Sequence, residues 1–188
     1  MPDSYSAFLG TLSRGMRKSM VRTASRAERE LGTRLSFRTA RVTSVAISRY
    51  NGKPSLKWRS IASSALSSRI RAAMRAKTYQ RIRGVGFKDN EVTRRFALTA
   101  SEHGWFRGWL LYVDETPIAY EHGYAYRGTF RWAAGGFDPA FASHRPGMYL
   151  IGRVIQELCE DPQISSLDFG LGDADYKRRL GCESRLES

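Results

Sequence analysis

From Trp109 to Gly181 the sequence spells strand, hairpin, helix, strand and short helix, and this order constrains the fold more than any other feature. Trp109 to Val113 is an apolar strand, turned by Asp114-Glu115-Thr116 into Pro117. Along Ile118 to Tyr126 the alternation puts Ile118, Tyr120, His122, Tyr124 and Tyr126 on one face and Ala119, Glu121, Gly123 and Ala125 on the other. Arg127-Gly128 turns this strand into a second aromatic-rich one. A loop, PAFASHRPG, leads to a helix from Gly147 to Glu160, whose Met148, Ile151, Val154, Ile155 and Leu158 form a stripe able to cover the sheet. A short buried strand, Ile164 to Phe169, then runs through an acidic turn bracketed by Gly170 and Gly172 into a helix bearing Tyr176, Lys177, Arg178 and Arg179, with Asp173 placed to cap it. The fold class is α/β (mixed α+β), a central, mostly antiparallel sheet flanked by helices.

The N-terminal half is of a different character. Residues 1–88 hold 20 Lys and Arg against 3 Asp and Glu, whereas residues 89–188 hold 11 against 15, so the net charge of +13 belongs to the first part. Tyr5, Phe8, Leu9, Leu12, Met16 and Met20 recur at helical spacing, with Ser4 as N-cap and Gly32 as stop, and Arg14, Arg17, Lys18, Arg22, Arg26 and Arg29 fill the remainder. One or two amphipathic helices with a cationic face follow, and Arg14, Arg17, Lys18 and Arg22 are candidates for binding an anionic partner such as RNA, a membrane surface, a polyanionic glycan or a cofactor's phosphates. A solvated helix face is the plain alternative.

Thr39 to Tyr50 is expected as a strand, Asn51-Gly52 as a turn, residues 60–79 as a helix rich in Ser, Ala and Arg, and Glu91 to Glu102 as a helix with Val92, Phe96 and Leu98 or Thr99 inward, stopping at Gly104. The charge change divides the chain into a basic, largely helical region, 1–88, and a core, 89–188.

At 188 residues the chain can bury one substantial core. No apolar run approaches membrane-spanning length, and the N-terminus lacks a hydrophobic signal core, which argues for a cytoplasmic protein. Cys159 and Cys182 have no metal spacing and are too few for a disulfide scaffold; with His103, His122 and His144 in separate segments, no metal is expected. Asp168-Phe169-Gly170 spells a kinase tripeptide, but the chain is too short and has no partner catalytic loop.

Pro117-Ile118-Ala119-Tyr120, Phe137-Asp138-Pro139, Arg145-Pro146-Gly147 with Leu150, and Asp168-Phe169-Gly170 through Asp173, Tyr176, Lys177 and Gly181 occur in an order that resembles the CelD-like branch of the GNAT acyltransferase superfamily, related to the FemAB peptidyltransferases. The resemblance covers Trp109 to Gly181; Ser13 to Arg22 is similar to the basic helix that precedes the transferase domain in that family. Relatives usually carry a further domain ahead of this part, so the shorter N-terminal region suits a shortened member, an excised fragment or half of a homo-oligomeric site.

What the resemblance implies is acyl transfer from acyl-CoA (acetyl-CoA) to an amine or hydroxyl, on a sugar or cell-envelope precursor. Its alternatives are a FemAB-like aminoacyl-tRNA-dependent transferase, whose tRNA the basic half would hold, and a non-catalytic basic binding module. Arg145-Pro146-Gly147 supplies a cation and a side-chain-free approach to the N–H groups of Met148 and Tyr149, a suitable cradle for the donor's phosphates. By position, Lys177 matches a family lysine implicated in stabilising the reacting acyl group, a task suited to a fixed cation. Glu121 lies where mainstream relatives place a general base, provided that burial raises its pKa. Asp173, Tyr176 and Asp168 complete the catalytic candidates, Asp168 also as a group that orients the turn. Arg81, Gly84 and Gly86 fit the family's phosphate-loop pattern but precede the hairpin, and are read as a coincidental match.

Overall fold

The computed structural model describes residues 1–41, 49–50, 53–54, 91–170 and 174–183. The expected helix at 60–79, Asn51-Gly52, the Arg81/Gly84/Gly86 loop and Asp173 lie outside the described residues, as does the side chain of Leu98.

Two helices open the chain, each started by a serine. Ser4 Oγ accepts from the Ala7 N–H at 3.1 Å to begin α1 (Tyr5–Thr11), and Ser13 Oγ accepts from Met16 N–H at 3.2 Å to begin α2 (Arg14–Leu31), which Gly32 ends at φ 49°. Ser13 therefore breaks the run into two helices. After a single turn of 3₁₀ helix, β1 (Leu35–Arg41) begins earlier than the expected Thr39, and β2 (Arg49–Tyr50) pairs antiparallel with β3 (Lys53–Pro54). Next come α3 (Glu91–Glu102), β4 (Phe106–Val113), β5 (Thr116–Tyr126), β6 (Thr129–Phe137), α4 (Pro146–Glu160), β7 (Ser166–Asp168) and α5 (Asp175–Arg179).

The main sheet runs β1-β4-β5-β6-β7, antiparallel throughout except for the parallel pair β6–β7. Arg127 (φ 47°) and Gly128 (φ 79°) both lie in the left-handed region, as a two-residue hairpin turn between β5 and β6 requires. One face of the sheet meets α1, α2 and α4. Trp109, Leu111, Val113, Ala119, Phe130 and Trp132 pack there with Phe8, Met16 and Met20 and with Leu150, Val154, Ile155 and Leu158, each buried aliphatic side chain contributing roughly 1.5–3 kcal/mol. Glu157 ties the layers with polar contacts, accepting from Trp109 Nε1 and Thr39 Oγ1, each at 2.8 Å.

Several expectations are corrected. Val92 and Phe96 do not face inward: they are 77% and 53% exposed, and α3 is held instead by buried Ala100 and by the edge of Phe96 against Tyr124. The last strand spans only three residues of intermediate or greater exposure, because it is an edge strand that pairs on one side alone. Ile118 does not share a face with Tyr120. The pairing register slips between Leu111 and Tyr112, so Ile118 is bulged and joins Ala119 in the helix-covered core. From Ala119 onward the predicted alternation holds, with Tyr120, His122 and Tyr124 on the opposite face beside Phe106.

Candidate active site

β6 and β7 run parallel, so their carboxyl ends lie at the same end of the sheet, and α4 and α5 start from that end. Pairing between them stops at Arg131 and Asp168, while β6 continues to Phe137, about 20 Å further. Ligands of α/β sheets gather outside strand carboxyl ends, and the turn after β7, α5 and the start of α4 lie there, while Glu121 sits in the middle of β5.

Glu121 occupies the centre. It is 5% exposed, stands opposite Gly135 in the β5–β6 register, and its Oε2 accepts from Trp132 Nε1 at 2.5 Å. A bulge makes this possible. Residues 132 and 135 are three apart and would point to opposite faces of a regular strand. The extra residue, Ala133, sits between the pairs Gly123↔Trp132 and His122↔Ala134 and returns both to the face of Glu121. Gly135 leaves the space that the carboxylate fills, since a Cβ there would come within 1.8 Å of Oε2. Burial pushes the Glu121 carboxyl up to about 8, partly offset by the Trp132 hydrogen bond, which favours the charged form.

An aromatic stack connects this carboxyl to the C-terminal motif. Phe169 lies parallel on Trp132 at 5.1 Å and 10°, and Tyr176 meets Phe169 edge-on at 6.3 Å. Burial, then the charges of Glu121 and Cys182, push the Tyr176 hydroxyl up. Lys177 Nζ donates to Gly170 O at 3.0 Å, which ties α5 to the turn after β7. Asp168 has both oxygens in use: Oδ1 accepts from Gly170 N–H at 2.7 Å and Oδ2 lies 3.4 Å from Arg131 Nε. Gly170 needs to be glycine because it sits at φ 71°, with its Cβ position 3.0 Å from Trp132 O. The cap position of α5 is held by Ala174, which offers no side-chain bond, in place of the expected Asp173.

The start of α4 forms the second part of the site. Arg145 adopts a left-handed conformation (φ 52°, ψ 49°) and Pro146 supplies the first helical residue. Tyr149 N–H is already bonded to Arg145 O at 3.1 Å, which corrects its expected availability; Gly147 and Met148 are the N–H groups with no intrahelical acceptor. The Tyr149 side chain is buried and reaches Glu28 of α2 at 3.5 Å. Gly147 presses against Phe137, with 3.1 Å between its Cβ position and the ring. Two open N–H groups, the positive end of a 15-residue helix and the exposed Arg145 make a cradle that fits a donor's phosphates, although Arg145 also donates to Ser19 Oγ at 3.1 Å.

Glu121, Trp132, Phe169 and Tyr176 thus form one run of contacts, with Lys177 beside Tyr176 on α5, and Phe137, two residues beyond Gly135 on β6, links this run to the α4 cradle. Asp168, paired with Arg131 in register with Tyr124, lies on the other face of the sheet from Glu121. Arg14, Arg17, Lys18 and Arg22 lie apart, on the exposed face of α2. Sequence reasoning missed Trp132, Gly135 and Phe169; the Gly135-Gly136 pair inside an aromatic strand was the available signal. Among the described residues no cluster of His, Cys, Asp or Glu could hold a metal ion, and no helix is long and apolar enough to cross a membrane.

The sequence profile described as acetyltransferase (GNAT) domain matches residues 14–178, α2 through α5. The chain therefore belongs to the GNAT acetyltransferase domain family, whose members are acyltransferases. It is similar to a GNAT family acetyltransferase from Staphylococcus aureus subsp. aureus of known crystal structure, with a TM-score of 0.47 and 13% identity over 82% of this chain and 95% of that one. No curated protein matches the chain.

Proposed function

We propose that this protein transfers an acyl group, acetyl in the simplest case, from acyl-CoA to a primary amine, with Glu121 as the base that takes the amine's proton. The observation that carries this reading is the Glu121 carboxyl itself: buried, held by Trp132, and seated in space left by Gly135. An alkylammonium loses its proton near pH 10, so a carboxylate raised to about 8 lies within reach of it. The donor, when bound, supplies an acyl carbon activated as a thioester. Glu121 takes one proton from the ammonium, the amine nitrogen bonds to that carbon as the C–S bond breaks, and a second nitrogen-bound proton passes to the departing sulfur, so that a thiol leaves. Gly147, Met148 and Arg145 hold the donor's phosphates; Lys177 neutralises charge developing on the carbonyl oxygen; Asp168 positions the turn that carries Lys177's acceptor. The motif order supports placement in the CelD-like branch.

Thiol release from acetyl-CoA, measured against a panel of primary amines and matched alcohols, tests this. Turnover with amines alone, lost in Glu121→Gln, is the expected result; equal turnover with alcohols in both proteins would remove Glu121 from the role of base.

A further inference from the structure

α2 has two unlike faces. Met16, Met20, Ala27 and Leu31 are buried against α4 and the sheet, while Arg14, Arg17, Lys18, Val21 and Arg22 are exposed and fall at i, i+3, i+4, i+7 and i+8. Those five residues line one shallow surface depression. The centre of the stripe is turned away from the donor cradle: Ser19, the residue that meets Arg145, lies roughly 160° around the helix from Val21, while Arg22, at i+3 from Ser19, borders that side.

Several cations elsewhere among the described residues are paired. Arg26 and Arg29 reach Glu30, Arg34 reaches Asp114, Arg38 reaches Glu115, and Arg178 and Arg179 reach Asp175. Among the described residues Arg14, Arg17, Lys18 and Arg22 meet no acidic group, although they crowd about 12 Å of helix. Val21, 48% exposed at the centre, is the one apolar side chain in the stripe. Arginine and lysine stems around it extend the apolar floor while their charged ends stand outward.

We propose that this face docks an acidic amphipathic helix of a partner protein, with an apolar side chain seated on Val21 and carboxylates meeting the four surrounding cations. The i, i+3, i+4, i+7 ridge is the one along which helices interdigitate. A phosphate backbone would match the charge but has nothing apolar to place on Val21, and the stripe offers no aromatic ring on which a base could stack. One valine is too little to enter a bilayer. Two copies of the chain meeting stripe to stripe would set like charges against each other.

The test uses the full chain and three fluorescent probes: a synthetic helix of about 20 residues with a leucine seam flanked by glutamates, a scrambled peptide of the same composition, and an RNA duplex of about 20 base pairs. Anisotropy should show the seam peptide binding at least about fivefold tighter than the scramble, weakened about threefold or more by Val21→Ser and about tenfold or more by Arg17→Ala with Lys18→Ala. Circular dichroism checks that each variant is folded. The proposal is overturned if the seam peptide fails to bind, or if seam and scramble bind alike. It is overturned in favour of nucleic acid if the duplex binds most tightly and Val21→Ser leaves that binding unchanged. Neither result depends on catalysis, so acyl transfer stands or falls separately.

Discussion

Gly135 faces Glu121 across the β5–β6 pair, and the hydrogen that stands for its side chain is what gives the carboxylate room. Gly135→Ala should force that carboxylate off its present position by an ångström or more, and a displacement of this size costs about 100-fold in turnover where geometry is catalytic. The variant should also melt earlier than wild type. Removing the clash from the other side, with Glu121→Ala in the Gly135→Ala background, should recover much of the melting temperature and none of the turnover. Additive losses in thermal denaturation would show that the two residues are not in contact.

The same carboxyl makes stability fall as pH rises. Its ordinary value is near 4.5 and its folded value about 8, so between them the folded protein keeps a proton that the unfolded chain has released. The stabilisation is complete below about 4.5 and is lost as pH passes through about 8. Denaturant unfolding at several pH values should show this slope, and Glu121→Gln should flatten it. If the carboxylate is the base, kcat/KM should climb tenfold per pH unit up to an apparent value near 8 and level off. Trp132→Phe removes the donor that favours the charged form, so that limb should move to higher pH; a shift downward would contradict the assigned hydrogen bond.

Lys177 has a structural partner, Gly170 O, and a proposed chemical task, and substitution separates the two. Lys177→Ala should lower kcat by about two to three orders of magnitude with donor affinity little changed if the ammonium acts in the transition state. Lys177→Arg should rescue poorly, because the guanidinium is broader and its donors are fixed in a plane. Loss of melting temperature in parallel with activity for both variants would leave the lysine as a clamp on the turn.

At the start of α4, Gly147→Val should weaken acetyl-CoA binding at least about tenfold by blocking the two open N–H groups. Because the new side chain also meets Phe137, calorimetry is to be read beside a thermal melt. Unchanged affinity in a folded variant would move the phosphate site elsewhere.

How far the sequence reached can be seen strand by strand. Regular alternation grouped Ala119, Glu121 and Gly123 on one face, which is the face the helices cover, and Ser4, Gly32 and Arg127-Gly128 marked real element ends. Alternation fails where a strand gains a residue. Ala133 is such a residue, so no reading of period two could put Trp132 and Gly135 on one face, and the partner of the buried carboxyl went unseen. Ile118 was misplaced for the same reason. Val92 and Phe96 misled differently: apolar spacing on a helix shows which side could be covered, and the chain does not bury that side. Chemical type was readable for Glu121, Lys177 and Asp168; what each one touches depended on contacts distant in sequence.

The parallel pairing of β7 has a kinetic side. β4, β5 and β6 are joined by tight turns and can assemble from neighbouring residues, whereas β7 must wait for a whole helix to cross over before Ser166 finds Thr129. Loop closure makes contacts of long sequence separation slow to form. Phe169 and Tyr176, which follow β7 and stack toward the carboxyl, are therefore among the late arrivals, and until they settle Glu121 is a wetter and ordinary acid. Proton uptake by this carboxyl, followed in a pH-indicator stopped-flow experiment, should lag behind the β-sheet signal, making a single glutamate the reporter of when the site closes.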